Sequence, residues 1–260
     1  MSKKKSNATR RAEELAAHER AAEIRREHER KERRRRNAFV AAGVVVVLAL
    51  VLGIGYAVQS SRDTTGQVAT PPAGAVDDYA LLRGDEDAPV TVTIFEDFMC
   101  PFCGDFEAAS QTVLSSYVDA GDVRVEYRVL SFLDRASNGT DYSTRSMNAL
   151  GVVLDTAGAD TALAFHDLLF ENQPEEGTDG LSDDELIDLA VEAGATRNQV
   201  TAPIEQRKFE QWVSNATDAA NRDGVSSTPT VLVDGEQLEA TTIDGLVTEL
   251  QEAVEAAPAG

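Results

Sequence analysis

Cysteine is scarce in this chain: two in 260 residues, Cys100 and Cys103, with only Pro101 and Phe102 between them. That excludes a fold stapled by several disulfides. Histidine is nearly as rare, at three residues, His18, His28 and His166. Aromatic residues make up 6% against 42% apolar residues overall, a balance that suits a globular domain and argues against disorder. Basic residues are missing from most of the chain, with Lys208 the one lysine after Lys31. Residues 1–36 carry 14 Lys/Arg against 7 Glu, a net of +7; residues 37–260 carry 10 against 38 Asp/Glu, a net of −28, and together they give the −21 of the whole. The acidic part would repel phosphate, so nucleic acid is excluded as its partner. Its acidity fits adaptation to high salt and equally an ordinary soluble surface.

Charge is also absent from Asn37 to Ser61, where "AFVAAGVVVVLALVLGIGYAV" supplies an apolar run. About twenty such residues, rising about 1.5 Å each, cross a hydrocarbon core about 30 Å thick. Arg33, Arg34, Arg35 and Arg36 stand directly before the run, which keeps the N-terminus in the cytoplasm and sends the rest outside. A cleaved signal peptide would have a short n-region and a shorter apolar core, so an uncleaved single-pass anchor in the cell membrane is expected. The sequence thus divides into a basic cytoplasmic segment (1–36), a transmembrane helix (37–58), a flexible linker rich in Pro, Gly, Ser and Thr (59–76) and a folded extracytoplasmic domain (77–256).

Within that domain "APVTVTIFEDF" reads as a buried strand, and "GDFEAASQTVLSSYVDAG" as a helix with Phe106, Val113, Leu114 and Tyr117 on one side, ending at Gly121. "DVRVEYRVLSF" alternates as a second strand. Strand, helix and strand in this order form a βαβ unit with a parallel pair. A long helical stretch follows, from about 140 to 222. In it Ser182 and Glu185 form a capping box, and Pro203 is expected near a helix start. "TPTVLVDGEQLEA" returns to strand with a hairpin turn at Asp234-Gly235, and a last helix runs from about Ile243 to Ala256.

Three chemistries compete for the cysteine pair. A tetrahedral zinc site needs two more ligands, and His18 and His28 are placed across the membrane; His166 and carboxylates alone remain, and a buried His is more often packed or hydrogen-bonded. A structural disulfide closing a two-residue loop would constrain the unfolded chain little. A redox pair has a mechanism. Cys100 falls at a strand-to-helix junction with Pro101 in the first turn, where free N–H groups and the helix dipole stabilise a thiolate. Cys103 lies one turn inside, within disulfide reach and less exposed.

With these features "GDEDAPVTVTIFEDFMCPFC" resembles the opening strand and active site of the DsbA-like thiol-disulfide oxidoreductases of the thioredoxin superfamily, in a membrane-anchored form. "GVSSTPTVLVDG" is similar to that family's cis-proline loop, and the helical stretch to its insertion. The resemblance implies an α/β fold: a thioredoxin-like fold with a helical insertion, preceded by a single transmembrane helix. It implies Cys100 as nucleophile, Cys103 as resolving thiol, and Thr228 and Pro229 as the loop beside them, with Pro101, Phe102, Glu96 and Asp97 in support. No metal or further cofactor is implied beyond the redox-active disulfide. The implied activity is introduction of disulfides into unfolded exported proteins, with re-oxidation by a separate membrane partner, DsbB-like or vitamin-K-epoxide-reductase-like. Alternatives are a reductase or isomerase of exported protein disulfides or apocytochrome thiols, and a non-catalytic binding or chaperone module. Two positions depart from the pattern. Phe102 stands where strong oxidases have His, which implies a less extreme oxidant. Ile94 stands where thioredoxins bury an acid, six residues before the first cysteine. Glu96 follows Val92 and Ile94 in alternation, so it is either a partly buried proton acceptor for Cys103 or a solvated carboxylate at the strand end.

Overall fold

The computed structural model describes residues 69–257. The expected basic segment, the expected membrane helix and residues 59–68 of the expected linker lie outside the described residues. Among the described residues no helix is long and apolar enough to cross a membrane. Residues 69–76, expected as linker, instead lie against the domain. Pro72 is buried, the Ala73 N–H donates to Asp155 Oδ1 at 3.0 Å, and Val76 bridges to Ala80. Ala69 and Ala75 pack on the core, so the apolar residues of this stretch outweigh its Pro and Gly content.

Five strands form one sheet in the order β1-β3-β2-β4-β5: β1 (Leu81–Arg83), β2 (Val90–Glu96), β3 (Val123–Val129), β4 (Thr230–Val233) and β5 (Glu236–Gln237). β2 and β3 pair in parallel from Val90↔Val123 to Glu96↔Val129, joined by helix α1 (Pro101–Ala120) as the crossover requires. β4 adds antiparallel to β2, and β1 antiparallel to β3. β1 is too short to show a period, and nothing in the sequence announced it. Alternation aims Val92, Ile94, Val125, Tyr127, Val231 and Val233 into the core. Burying each such side chain contributes about 1.5–3 kcal/mol. Asp234 (φ 49°) and Gly235 (φ 86°) turn the β4–β5 hairpin, both in the left-handed region that Asp-Gly tolerates.

Between β3 and β4 lie α2 (Tyr142–Ala157), α3 (Ala159–Glu171), α4 (Asp183–Glu192), α5 (Arg197–Glu205) and α6 (Glu210–Arg222), and α7 (Ile243–Ala256) closes the chain beside α1. α2 is buried from Tyr142 to Leu154, with polar side chains that find partners inside. Asn148 accepts from the Phe209 N–H at 2.7 Å, and Ser143 donates toward the active-site loop. Pro203, expected near a helix start, falls inside α5. The ring removes one helical bond only two residues before the helix ends, and its carbonyl accepts from the Lys208 N–H at 3.0 Å. The Ser182–Glu185 capping box is formed at α4.

Candidate active site

The loop from β2 into α1 is built around Asp97. This carboxylate is fully buried and accepts three hydrogen bonds, from the Met99 N–H (2.8 Å), the Leu133 N–H (2.9 Å) and Ser143 Oγ (2.6 Å). Burial pushes it up to about 7, against the pull of those donors. Asp97 thereby ties together the chain before Cys100, the loop after β3 and the helical insertion. Its own carbonyl accepts from the Cys100 N–H at 2.9 Å. Gln173, just past α3, adds a second clamp by donating to the carbonyls of Phe98 (3.1 Å) and Cys100 (2.9 Å). A Cβ at residue 104 would stand 2.4 Å from Gln173 Oε1, so Gly104 is what lets this clamp approach.

Cys100 is the N-cap of α1, and Pro101 occupies the first turn, where a missing N–H costs nothing. Both cysteines are free thiols. Cys100 is lowered to about 6, first by a hydrogen bond from the Cys103 thiol, against burial, and then by the Thr228 side chain and the N–H groups of Cys103 and Phe102. No charged side chain is among these causes. The donors are neutral, as expected where uncharged Phe102 replaces a histidine. Cys100 Sγ also lies 3.4 Å from the Thr228 carbonyl, which accepts the S–H in the thiol form. The Thr228–Pro229 peptide is cis and leads directly into β4. Beside the sulfur runs a groove of about 510 Å³, walled by Phe102, Phe132, Leu133 and Thr228, with Glu176 as its one charged side chain. Phe102 is 62% exposed, the most prominent apolar group of the described surface.

Cys103 faces the interior. It is raised well above an ordinary thiol, first by burial, then by its neighbour Cys100 and by the charge of Glu96. Glu96 is 0% exposed, which excludes the solvated strand-end reading. Its Oε1 lies 2.6 Å from His166 Nε2, and His166 Nδ1 lies 3.0 Å from Asp167 Oδ1, which in turn pairs with Arg83 at 2.5 Å. Burial draws the His166 ring down, but Glu96 and Asp167 outweigh it and raise the ring to about 10. Glu107 joins this cluster from α1 and is pushed up to about 8, by burial first and then by the charge of Glu96. Donor atoms of Glu96, Glu107 and His166 lie within 4.8 Å of one another, a spacing that a metal ion could bridge. Both ring nitrogens of His166 face carboxylates, however, so the geometry is that of an imidazolium with no lone pair to give.

Cys100, Pro101, Phe102, Cys103 and Thr228 thus meet at the end of the sheet, with Pro229 adjoining and with Glu96 and Asp97 behind the pair. His166, Glu107, Gln173 and Arg83 were missed as members. Glu107 was open to discovery, because it follows Cys103 by four residues on a helix face otherwise filled by Phe106, Ser110 and Leu114.

A protein-family model described as Thioredoxin matches residues 77–252, more than half of the chain. The chain is similar to the solved structure of reduced DsbA from Mycobacterium tuberculosis, at 30% identity and a TM-score of 0.57, over 69% of this chain and 94% of that one. It is 25% identical to disulfide bond formation protein D of Bacillus subtilis over 154 residues, 58% of this chain and 66% of that protein. A further similarity, 29% over 157 residues, is to the serine/threonine-protein kinase PknE of M. tuberculosis; it covers 58% of this chain but spans only 28% of the kinase's length. The chain belongs to the thioredoxin family, and its described domain is of the DsbA-like thiol-disulfide oxidoreductase type.

Proposed function

We propose that the chain is a membrane-anchored, extracytoplasmic enzyme that introduces disulfides into unfolded exported proteins. The lowered Cys100 carries this reading. At about 6 it is a thiolate at neutral pH, and the donors that stabilise this thiolate stabilise the reduced pair relative to the disulfide, which makes the disulfide an oxidant. A substrate thiolate attacks Cys100 Sγ. The Cys100–Cys103 bond breaks, its electron pair stays on Cys103, and that sulfur takes a proton. The second substrate thiolate then attacks the substrate sulfur of the mixed disulfide, and Cys100 leaves as a thiolate. The substrate has lost two electrons and the pair has gained them. The groove beside Cys100 suits an extended apolar segment of an unfolded chain.

The arginines and the apolar run before the domain support the anchor and its orientation. Re-oxidation falls to a separate membrane partner, DsbB-like or vitamin-K-epoxide-reductase-like. Uncharged Phe102 favours a second reading, in which the pair works as a reductase or isomerase of exported protein disulfides or apocytochrome thiols. The test supplies a reduced, unfolded protein with several cysteines to the full-length chain in its disulfide form and counts the disulfides made. Substrate disulfides formed in step with Cys100–Cys103 reduction are expected; an oxidised pair that leaves the substrate reduced removes the oxidase reading.

A further inference from the structure

The groove beside Cys100 is apolar where Phe102, Phe132 and Leu133 wall it, and neutral where Asn221, Ser226 and Ser227 do. Glu176 is the exception. It comes from the loop after α3 and is exposed, yet the backbone on both sides of it is fastened. Three residues before it, Gln173 holds the Phe98 and Cys100 carbonyls. Directly after it, the Gly177 N–H donates to the Ala136 carbonyl at 2.8 Å, and the Gly177 carbonyl accepts from Asn138 Nδ2 at 3.0 Å. Other surface carboxylates have cations of their own: Asp155 pairs with Lys208, Asp167 with Arg83 and Asp183 with Arg145. Among the described residues no cation pairs with Glu176. The basic side chains nearest to the groove in sequence, Arg135 and Arg222, are not among its walls. The wider field has the same sign, since residues 37–260 carry a net −28.

We propose that Glu176 makes the groove a charge selector, favouring substrate segments whose reacting cysteine has apolar neighbours and a lysine or arginine within a few residues. The inference rests on the exchange reading and gives it a substrate class. A substrate attacks as a thiolate, and an anionic groove repels a thiolate. A basic residue beside the substrate cysteine relieves this in two ways. It pairs with Glu176, and it lowers the substrate thiol's own pKa, so that more of it is ionised. An extended segment advances about 3.3 Å per residue. A basic residue about three positions from the cysteine therefore stays within the screening length of about 10 Å at 0.1 M salt, and one about ten positions away does not. An acidic residue in the near position adds to the repulsion. Apolar side chains on the Phe102 and Phe132 side and one cation on the Glu176 side would together match the walls of the groove.

The test measures how fast dithiol peptides reduce the Cys100–Cys103 disulfide of the full-length chain. Two peptides share one composition and net charge; the lysine stands beside the cysteines in one and far from them in the other. Each rate is divided by the same peptide's rate with hydroxyethyl disulfide, a neutral reference that cancels the lysine's effect on the thiol itself. The near-to-far ratio is read within each variant, so a change in overall rate does not enter it. It should be about threefold in the wild type at about 0.1 M salt, the worth of an exposed ion pair. It should approach one at about 1 M salt and in Glu176→Gln, and fall below one in Glu176→Lys. A ratio that Glu176→Gln leaves unchanged overturns the selector, and so does a Glu176→Lys chain that still prefers the near lysine. The wild-type ratio and its salt dependence decide the matter if a variant fails to fold. Wild-type chain that is reduced equally by both peptides sinks the selector and leaves the exchange reading standing. Peptides that leave the disulfide intact sink the exchange reading, and the selector with it.

Discussion

Cys100 and Cys103 lie on one helical turn and meet opposite surroundings. The first faces a groove and is drawn down to about 6, above all by the thiol of the second; the second is driven up by burial first, then by Cys100 and by the charge of Glu96. The same thiol chemistry thus becomes an attacking group on one side and a buried, protonated reserve on the other. The helix terminus alone would favour a thiolate at Cys100, but the gap between the two sulfurs comes mainly from the burial of Cys103 and from the hydrogen bond between the pair, with Glu96 adding to it.

Removing either sulfur should separate the two sides most sharply. Cys100→Ser is expected to abolish exchange, whereas Cys103→Ala should leave a Cys100 that captures disulfide-bonded substrates and does not release them. Non-reducing gels would show adducts for the second variant only, and identical behaviour of the two would break the comparison.

The buried side can be tested without chemistry. His166→Leu leaves the Glu96 carboxylate buried and unpaired, which should cost about 3–5 kcal/mol in urea unfolding. His166 titrates higher in the folded chain, at about 10, than its ordinary value of 6.5, so its contribution is complete below pH 6.5 and is lost as pH rises toward 10. Glu107, raised from 4.5 to about 8, also makes stability fall as pH rises between those two values. With the Cys100–Cys103 disulfide closed, so that the lowered Cys100 adds no opposing titration, the wild type should therefore lose stability between pH 5 and 10, and His166→Leu should lose less over the upper part. A variant curve parallel to the wild type would argue against the charged ring.

The smallest effect is expected on the open side. Thr228→Val removes one neutral donor and should raise Cys100 from about 6 by less than about one pH unit, read from thiolate absorbance. A larger rise would mean that Thr228, and not the helix terminus and Cys103, sets the thiolate.

These two sides were unequally legible in the sequence. The open side is local: Cys100, Pro101, Phe102 and Cys103 are consecutive, and Thr228-Pro229 stands directly before a β-branched strand. The buried side depends on contacts at long range. Alternation with Val92 and Ile94 aimed Glu96 inward, but its partner His166 is 70 residues away on a helix that no spacing rule connects to β2. Strand β1, which brings Arg83 to Asp167, has three residues and no readable period. Pro203 misled because proline marks a helix start by sparing an N–H, whereas here it lies inside α5 and costs one helical bond near the helix end, which the packing of α5 offsets.

The reduction potential of the Cys100–Cys103 pair, equilibrated against glutathione in the full-length chain, tests the central claim most directly. A thiolate stabilised at Cys100 predicts a potential above about −180 mV; a value near about −270 mV, as in thioredoxin, would contradict it.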